Sequence, residues 1–575
     1  MKNYISILFA LALFYGSKTY AQESQFDNTT SIFTSVDEMV FVNANTSTLF
    51  TGETFYYKFF TWSDSTKELS KISEIGYVQL VNNEGKSVLK QKINLENGLG
   101  HGDFFVPTNL KTGNYKLLAY TKWMLNEPVS ELFQMDILIV NPFMPLPEGM
   151  ISETKKDSIS NREPKSLTKK GNFSFVKQAT FGTREKVEFA LNENILETGN
   201  YSISVSKLQN LPKSESVLPK EFISKLNKNS NTPSSRKDEK FLPELRGELF
   251  SGYIENRENP DNLANKNIAI SLPGKSFAFK TSSTNNAGQF WFILDPNPNT
   301  SQAVIQVMEE DRENYKLHLT ETNLDFSNLE FEKFQLNSEM REVIEKRSTA
   351  VQIENAYYHE KRDSIVPEPE SEPFYAPLAK EYILANYTSF PKLEETIVEI
   401  IPEMYSTKKR NKYSIHLRDY YNEKDQSLYG NTLVLVDGVL VQDVNPLFAY
   451  DTRKIEKISI VPKGYVYGAK IYNGIASFIT KEQDFQSGAT GDFILKTELL
   501  RPLPEKEYYN PEYAASATNQ RIPDYRYQLL WMPEVTIAEP VSFYTSDVTG
   551  NFEIVLEGFS DEGKPVYLRQ VIEVR

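Results

Sequence analysis

Short apolar and aromatic runs separated by turns recur along most of the 575 residues. In the first third of the chain, residues 54–59, 76–81 and 115–120 alternate apolar with polar side chains, as half-buried β-strands do. Stretches rich in glycine, asparagine and lysine lie between these runs and are typical of turns. Short strands divided by turns at such spacing indicate β-sandwiches. We therefore predict a mainly β protein.

The same patterning divides the chain into seven stretches. They are residues 1–21 (signal peptide), 24–142 (first sandwich), 165–244 (second sandwich with a mobile loop), 245–325 (third sandwich), 326–390 (helix and linker), 391–485 (α+β domain) and 490–575 (C-terminal sandwich-like region). The helix is predicted within residues 337–363 from an imperfect apolar stripe. The expected architecture is several β-sandwiches in tandem plus one small α+β domain.

The first residues have the three parts of a secretory signal peptide. Lys2 supplies the positive charge, residues 5–15 are apolar, and the small residues Thr19 and Ala21 precede a cleavage point after Ala21. The alternative is a membrane anchor, but the apolar run is shorter than the roughly 20 residues that a spanning helix needs. We expect an exported protein.

Charge and cysteine content narrow the function classes. The net charge is −14, whereas nucleic-acid binding needs a basic face, so we expect no nucleic-acid partner. The sequence contains no cysteine. This excludes disulfides and any cysteine nucleophile or cysteine metal site, and also an anchor that depends on an acylated cysteine.

No motif for catalysis or metal binding stands out. A nucleophile elbow of the Gly-x-Ser-x-Gly type is absent, and so is an HExxH zinc motif. Two Gly-Lys-Ser triplets, at Gly85 and Gly274, lack the upstream glycine of a phosphate-binding loop. The four histidines are far apart in the sequence: His101, His318, His359 and His416. We predict no catalytic residue, no cofactor and no metal, and hence a protein that is not an enzyme.

Four motifs in the first stretch occur in a recognisable order. They are Gly52-Glu53, residues 78–85, residues 102–107 and residues 112–120. This order resembles a macroglobulin domain of the α2-macroglobulin superfamily, which implies an Ig-like β-sandwich. Macroglobulins of that superfamily trap proteases through a Cys-Gln thioester. Because this chain has no cysteine, the resemblance implies the fold without thioester-mediated protease trapping.

The third stretch contains two strand-like runs, residues 249–254 and 263–270, followed by residues 280–292 with the turn Asn286-Ala287-Gly288. This pattern resembles the carboxypeptidase-regulatory-like β-sandwich. In receptors of Bacteroidota, that domain often precedes a plug domain. The resemblance therefore implies that a plug-like unit follows.

Residues 431–481 carry that pattern: a strand, a tight turn, two further strands and two more turns before a last strand. They resemble the plug domain of a TonB-dependent outer-membrane receptor. Fewer than a hundred residues follow, which leaves no room for a barrel. We therefore expect a domain that docks on a partner and not one that closes a pore. The turn residues expected at a partner interface are Asp437, Gly438, Tyr467, Gly468, Asn473 and Gly474.

Two interpretations of these turns stay open. Asp437-Gly438 is typical of a type I′ hairpin that only sets strand register. The other two turns can likewise serve only to set the course of the backbone. Alternatively, the turns form a surface that contacts a partner barrel.

Together these resemblances imply an exported macroglobulin-domain protein of Bacteroidota without a barrel. We expect a non-catalytic subunit of an outer-membrane transport or protein-assembly complex, located in the periplasm or at the outer membrane, with the cell surface also possible. Its partner would be an outer-membrane β-barrel protein or an envelope complex.

The alternative is a ligand-binding accessory of a TonB-dependent nutrient-uptake system. That function needs exposed aromatic side chains near Trp62, Trp123 or Trp291, whereas tryptophans more often pack in cores.

Overall fold

The structure is a computed structural model. It describes residues 38–151, 175–191, 196–214, 217–228, 241–274, 276–295, 300–367, 371–419, 430–513, 521–537 and 539–575. The predicted signal peptide, residues 1–21, lies outside this described part, as does much of the loop predicted at the end of the second stretch.

The strands and helices follow one another along the chain in this order. Residues 38–207 contain β1 (Glu38–Ala44), β2 (Thr48–Phe50), β3 (Thr54–Ser63), β4 (Ile75–Asn82), β5 (Ser87–Asn94), β6 (Leu99–Phe105), β7 (Gly113–Thr121), β8 (Phe133–Val140), β9 (Thr180–Phe181), β10 (Lys186–Ala190) and β11 (Gly199–Lys207). Residues 219–319 contain α1 (Pro219–Lys228), β12 (Glu248–Asn256), β13 (Asn267–Leu272), β14 (Ala278–Ser283), β15 (Gln289–Leu294), β16 (Gln302–Val307) and β17 (Tyr315–Leu319).

Residues 341–480 contain α2 (Arg341–Ala356), β18 (Ser364–Ile365), β19 (Lys380–Ile383), α3 (Leu393–Ile400), β20 (Met404–Lys409), β21 (Lys412–Leu417), β22 (Leu433–Val436), β23 (Val439–Leu440), α4 (Asn445–Ala449), β24 (Ile455–Val461), β25 (Tyr465–Tyr467), β26 (Lys470–Tyr472) and β27 (Ile475–Thr480). The last part of the chain contains β28 (Ile494–Glu498), β29 (Lys506–Glu507), β30 (Gln528–Met532), β31 (Pro540–Tyr544), β32 (Gly550–Ser560) and β33 (Pro565–Val574). The protein is mainly β with several sandwiches, and the predicted fold class is confirmed.

The first sandwich consists of sheets β1-β3-β6 and β2-β8-β7-β4-β5. Phe55, Tyr57 and Phe59 of β3 point into the core between them, as the period of two along a strand requires. The intervening residues Lys58 and Phe60 are buried too. They face the opposite way, where the second sandwich covers β3: the Lys58 ammonium donates a hydrogen bond to the Tyr201 carbonyl oxygen at 3.2 Å.

The second sandwich is made from two distant stretches of chain. Its larger sheet has the order β30-β11-β32-β33-β9, and β10 pairs with β31 in the smaller sheet. The core joins Val187 and Ile203 from one stretch to Phe543 and Ile554 from the other. The sequence predicted two separate units here, at 165–244 and 490–575. The structure combines their strands, because neither stretch has enough of them to enclose a core alone.

The third sandwich consists of sheets β15-β12-β17 and β14-β13-β16-β28. The α+β unit contains the mixed sheet β19-β24-β27-β22-β23, whose core includes residues of α3 and α4. Because β28 returns to the third sandwich after this sheet is complete, the α+β unit is an insertion in the third sandwich. The third sandwich is in turn an insertion in the second.

Two strands also belong to domains other than those in which the sequence placed them. β19 lies in the stretch predicted as helix and linker but belongs to the α+β sheet, where Tyr382 is opposite Ile458. β28 lies in the predicted C-terminal region but pairs with β16 of the third sandwich. Both strands are short, so the sequence pattern does not indicate which sheet each one joins.

Helix α2 packs on the first sandwich. Val343, Ile344 and Val351 contact a cluster that includes Phe50 and Leu138. The polar side of the helix is also held, since the Arg347 guanidinium donates hydrogen bonds to both carboxylate oxygens of Glu53 at 2.6 and 2.7 Å. Such bidentate pairs fix orientation as well as adding stability.

Candidate docking surface

The predicted turn at Asp437-Gly438 connects β22 to β23. Both residues have positive φ, 49° and 82°, and Val436 is paired with Val439, which is the type I′ geometry. The Asp437 side chain is buried. Its carboxylate accepts hydrogen bonds from the backbone N–H and the hydroxyl of Thr480, both at 2.7 Å. Burial raises the pKa of Asp437, and these two bonds partly oppose that rise.

This turn contacts the third sandwich. A Cβ atom built on Gly438 would lie 2.2 Å from the Cβ of Phe277, so only glycine allows this close approach. On the other side of the turn, the Gly274 N–H donates to the Asp437 carbonyl oxygen at 3.4 Å.

The turn at Tyr467-Gly468 contacts the same sandwich. The Tyr467 hydroxyl donates to the carbonyl oxygen of Phe279 at 2.5 Å, and the two rings stack with centroids 5.6 Å apart. A Cβ atom on Gly468 would come within 2.2 Å of the Thr281 hydroxyl oxygen. This turn is therefore also covered by the chain itself.

The third predicted turn lies within the α+β unit. The Asn473 N–H donates to the Asn431 carbonyl oxygen at 3.3 Å, and a Cβ atom on Gly474 would lie 2.2 Å from the Val461 carbonyl oxygen. Of the six residues expected at a partner interface, four thus contact the third sandwich of the same chain and two support the unit internally. The physical cause is a shared apolar core, which joins Phe277 of the third sandwich to the α+β sheet.

The tryptophans considered for ligand binding fall into two groups. Trp62 and Trp123 are each 2% exposed and belong to the protein core. Trp291 is 40% exposed. It lies on β15, at the edge of the sheet β15-β12-β17.

The outer side of this sheet forms an aromatic face, defined here as Leu249, Ser251, Tyr253, Trp291, Ile293 and His318. Along β15 the side chains alternate, with Phe290, Phe292 and Leu294 buried and Trp291 and Ile293 exposed.

Strand pairing places the members of the aromatic face next to one another. Trp291 is opposite Ser251, and Ile293 is opposite Leu249. Tyr253 is opposite His318, and their rings stack with centroids 4.7 Å apart. The small side chain of Ser251 leaves the Trp291 ring without a bulky neighbour directly across the strand pair.

Sequence reasoning identified Trp291 as a candidate and missed Tyr253, Ile293 and His318. A signal was present in residues 289–294, Gln-Phe-Trp-Phe-Ile-Leu. Every residue after the first is apolar, so both faces of this strand carry apolar side chains. One phase fills the core, and the other leaves apolar side chains on the opposite face. Exposed apolar patches of this kind mark interaction sites.

An ion-pair cluster fixes the third sandwich to the first. Glu248 is fully buried, and its carboxylate oxygens lie 2.9 Å from the Lys92 ammonium and 2.9 Å from the Arg501 guanidinium. Burial raises the pKa of Glu248, and these two cations oppose the rise. Because β12, which carries Tyr253 of the aromatic face, begins at Glu248, the cluster also orients that face.

The four histidines lie on separate elements: His101 on β6, His318 on β17, His359 after α2 and His416 on β21. In the described ranges no group of three or more histidine, aspartate or glutamate side chains could hold a metal ion. Nor does any helix within these ranges have the length and apolar character needed to cross a membrane.

Neither protein-family models nor curated proteins match this chain. Among solved structures, it is similar to Escherichia coli α2-macroglobulin activated by porcine elastase, with 9% identity over 94% of this chain and 44% of that one, and a TM-score of 0.23. Salmonella α2-macroglobulin reacted with methylamine gives 10% identity, 93% and 39% coverage, and a TM-score of 0.22. Dimeric latent PorU from Porphyromonas gingivalis is similar too, with 10% identity over 50% of this chain and 33% of that one, and a TM-score of 0.15.

The chain spans less than half the length of these macroglobulins. The structure itself shows tandem two-sheet β-sandwiches. The carboxypeptidase-regulatory-like and plug-like resemblances stay predictions.

Proposed function

We propose that the protein is a non-catalytic, exported subunit of an outer-membrane transport or protein-assembly complex, and that it docks on its partner through the aromatic face. The observation that carries this proposal is the 40% exposure of Trp291 beside Ile293 and the Tyr253–His318 stack. The partner would be an outer-membrane β-barrel protein or an envelope complex. The plug-like turns are not assigned this contact, because four of their six residues already contact the third sandwich.

The composition of the aromatic face supports protein docking. Tryptophan and tyrosine are enriched among the residues that contribute most to protein–protein binding, because each buries a large apolar area with few rotatable bonds. Leu249 and Ile293 add aliphatic surface beside Trp291. The polar Gln289, opposite Tyr253, borders the face, as polar rims border the apolar centre of interfaces.

The architecture supports a scaffold role. Each insertion is joined to its host by two chain segments, which restricts swivelling more than a single linker does. The buried Glu248 cluster adds a further constraint between the first and third sandwiches. These constraints favour a preorganised aromatic face, and preorganisation lowers the entropic cost of binding.

Site-specific photocrosslinking in cells tests the proposal. A photoreactive amino acid at position 291 or 253 should give a discrete crosslinked product with an outer-membrane protein, identified by mass spectrometry after solubilisation. The control carries the same amino acid at Lys111, which is exposed on the first sandwich, and should give no such product. Recovery of the protein only as a free soluble monomer, with no product from either position of the face, would contradict the proposal.

A second function, a ligand-binding accessory of a TonB-dependent nutrient-uptake system, is favoured by the pairing of the exposed Trp291 with the stacked Tyr253 and His318 rings. Aromatic rings exposed on the outer side of a sheet can stack against a small ligand. This function predicts a rise in melting temperature with a nutrient ligand, lost on Trp291→Ala, without a protein crosslink from position 291. A protein crosslink without any ligand-dependent shift favours the docking function instead.

A further inference from the structure

Strands β20 and β21 form a separate two-stranded sheet at the surface of the α+β unit. The end of this hairpin reads Lys408-Lys409-Arg410-Asn411-Lys412, four basic residues in five within a chain of net charge −14. Lys409, Arg410 and Lys412 are exposed and are called the cationic tip here.

The cationic tip has no counterion within the part of the chain that the structure describes. Among the residues that the structure describes, none of its three members forms an ion pair, whereas the neighbouring Lys408 ammonium lies over the Tyr413 ring at 4.4 Å. Lys409 and Lys412 are directly opposite in the strand pair, so their charges are held on the same side of the hairpin. Like charges in this arrangement are destabilising.

The backbone conformation of the tip is also unfavourable. Arg410 and Asn411 have φ of 47° and 64°, the left-handed region that asparagine and glycine tolerate better than arginine does. A strained turn that also carries mutually repelling charges brings the fold no visible benefit. Such local conflicts are expected at functional positions.

The hairpin is anchored to the α+β unit both next to the tip and at its far end. The Tyr413 ring stacks on Phe448 with centroids 4.1 Å apart, and its hydroxyl donates to the Glu394 carboxylate at 2.7 Å. Met404 and Leu417, paired at the far end of the hairpin, are buried in the core of the unit. The hairpin that carries the cationic tip is thus anchored on the α+β unit, and its three cationic side chains are exposed to solvent.

We propose that the cationic tip docks on the anionic headgroup surface of a lipid membrane, with phosphate groups as its ligands. Residues 408–412 carry no apolar side chain, so the tip lacks the apolar anchor that dominates specific protein interfaces. Headgroups diffuse laterally and can gather around a cluster of exposed cations. Basic clusters near anionic lipid gain affinity in this way, and each Lys or Arg contributes about fivefold.

Vesicle cosedimentation of the full chain tests this inference. Wild-type protein should bind vesicles of phosphatidylcholine plus phosphatidylglycerol, and phosphatidylcholine alone should not bind it. The triple variant Lys409→Gln, Arg410→Gln, Lys412→Gln should bind about 100-fold more weakly, as three contributions of about fivefold require. Added salt should weaken wild-type binding, because the interaction is between exposed charges.

The matched control is Lys71→Gln, Lys86→Gln, Lys111→Gln, which removes three exposed lysines from the first sandwich and changes the net charge equally. It should bind like wild type; an equal loss in both triple variants would overturn the inference by showing an effect of net charge alone. A cationic-tip variant that melts normally and still binds like wild type would also overturn it.

Two further measurements distinguish membrane lipid from other anionic ligands. Displacement of the protein by low concentrations of inorganic phosphate would identify a free-phosphate site and overturn membrane docking. Binding to immobilised polyglutamate but not to vesicles would indicate an acidic protein partner and would overturn it too. Trp291→Ala should leave vesicle binding unchanged, so a failure of the proposed docking function and a failure of this inference are distinguishable.

Discussion

Gly438 lies so close to Phe277 that a Cβ atom at position 438 would stand 2.2 Å from the Phe277 Cβ. Through this contact and the Tyr467–Phe279 hydrogen bond, the α+β unit is attached to the third sandwich of its own chain. The surface that the sequence predicted to contact a partner is therefore covered by the third sandwich of the same chain. The contact also identifies the position where the attachment can be weakened most selectively.

Gly438→Ala should loosen the α+β unit from the third sandwich. The new methyl group overlaps Phe277, and forced overlap in a packed site costs about 1–3 kcal/mol, in addition to the cost of positive φ. Gly488→Ala is the control, because Gly488 has φ of 68° and no atom closer than 3.9 Å to the added Cβ. Limited proteolysis should cut Gly438→Ala faster than Gly488→Ala; equal rates would contradict the tight contact.

Trp291 should account for the accessible tryptophan fluorescence of the folded protein. Trp62, Trp123 and Trp531 are at most 5% exposed, so acrylamide should quench them poorly. Trp291→Phe should remove the readily quenched component, while Trp531→Phe should leave it in place. A quenchable component that survives Trp291→Phe would show that another tryptophan is exposed.

Glu248→Ala should be strongly destabilising. It leaves the Lys92 and Arg501 side chains, which are 7% and 5% exposed, without their shared carboxylate. Removing one partner of a buried ion pair costs about 3–5 kcal/mol, because the remaining charge stays buried. Chemical denaturation measures this loss. The control Glu188→Ala removes half of an exposed pair with Lys186 and should have no measurable effect.

Glu557 should make stability fall as pH rises. Burial raises its pKa to about 8 from 4.5. Between pH 4.5 and about 8 the folded protein therefore holds a proton that the unfolded chain releases. The free energy of unfolding decreases across this window and no longer changes from this group above it.

The substitution Glu557→Gln removes this dependence. At pH 8.5 the variant should be more stable than wild type by about 2–4 kcal/mol, whereas at pH 4 the two should be alike. Denaturation at both pH values is the measurement, with the exposed Glu482 changed to Gln as the control. A constant difference at both pH values would mean that packing, and not ionisation, is responsible.

The sequence by itself determined the local features of this protein. Alternation predicted strands such as β3, β4 and β7, because side chains two apart share a face whatever the strand pairs with. Asp437-Gly438 predicted a type I′ turn, because the backbone geometry of two residues is set by those residues. The absence of cysteine from these 575 residues predicts that they form no thioester, without reference to any fold.

Only the tertiary structure decided which strands are neighbours. β11 lies beside β32, where Tyr201 pairs with Gly558, although its pattern would suit many partners; long-range packing of both stretches around one core selects the pairing. The same applies to exposure. Trp291 and Phe292 are adjacent aromatic residues on one strand, and only the sheets around them place Phe292 in the core and leave Trp291 on the aromatic face.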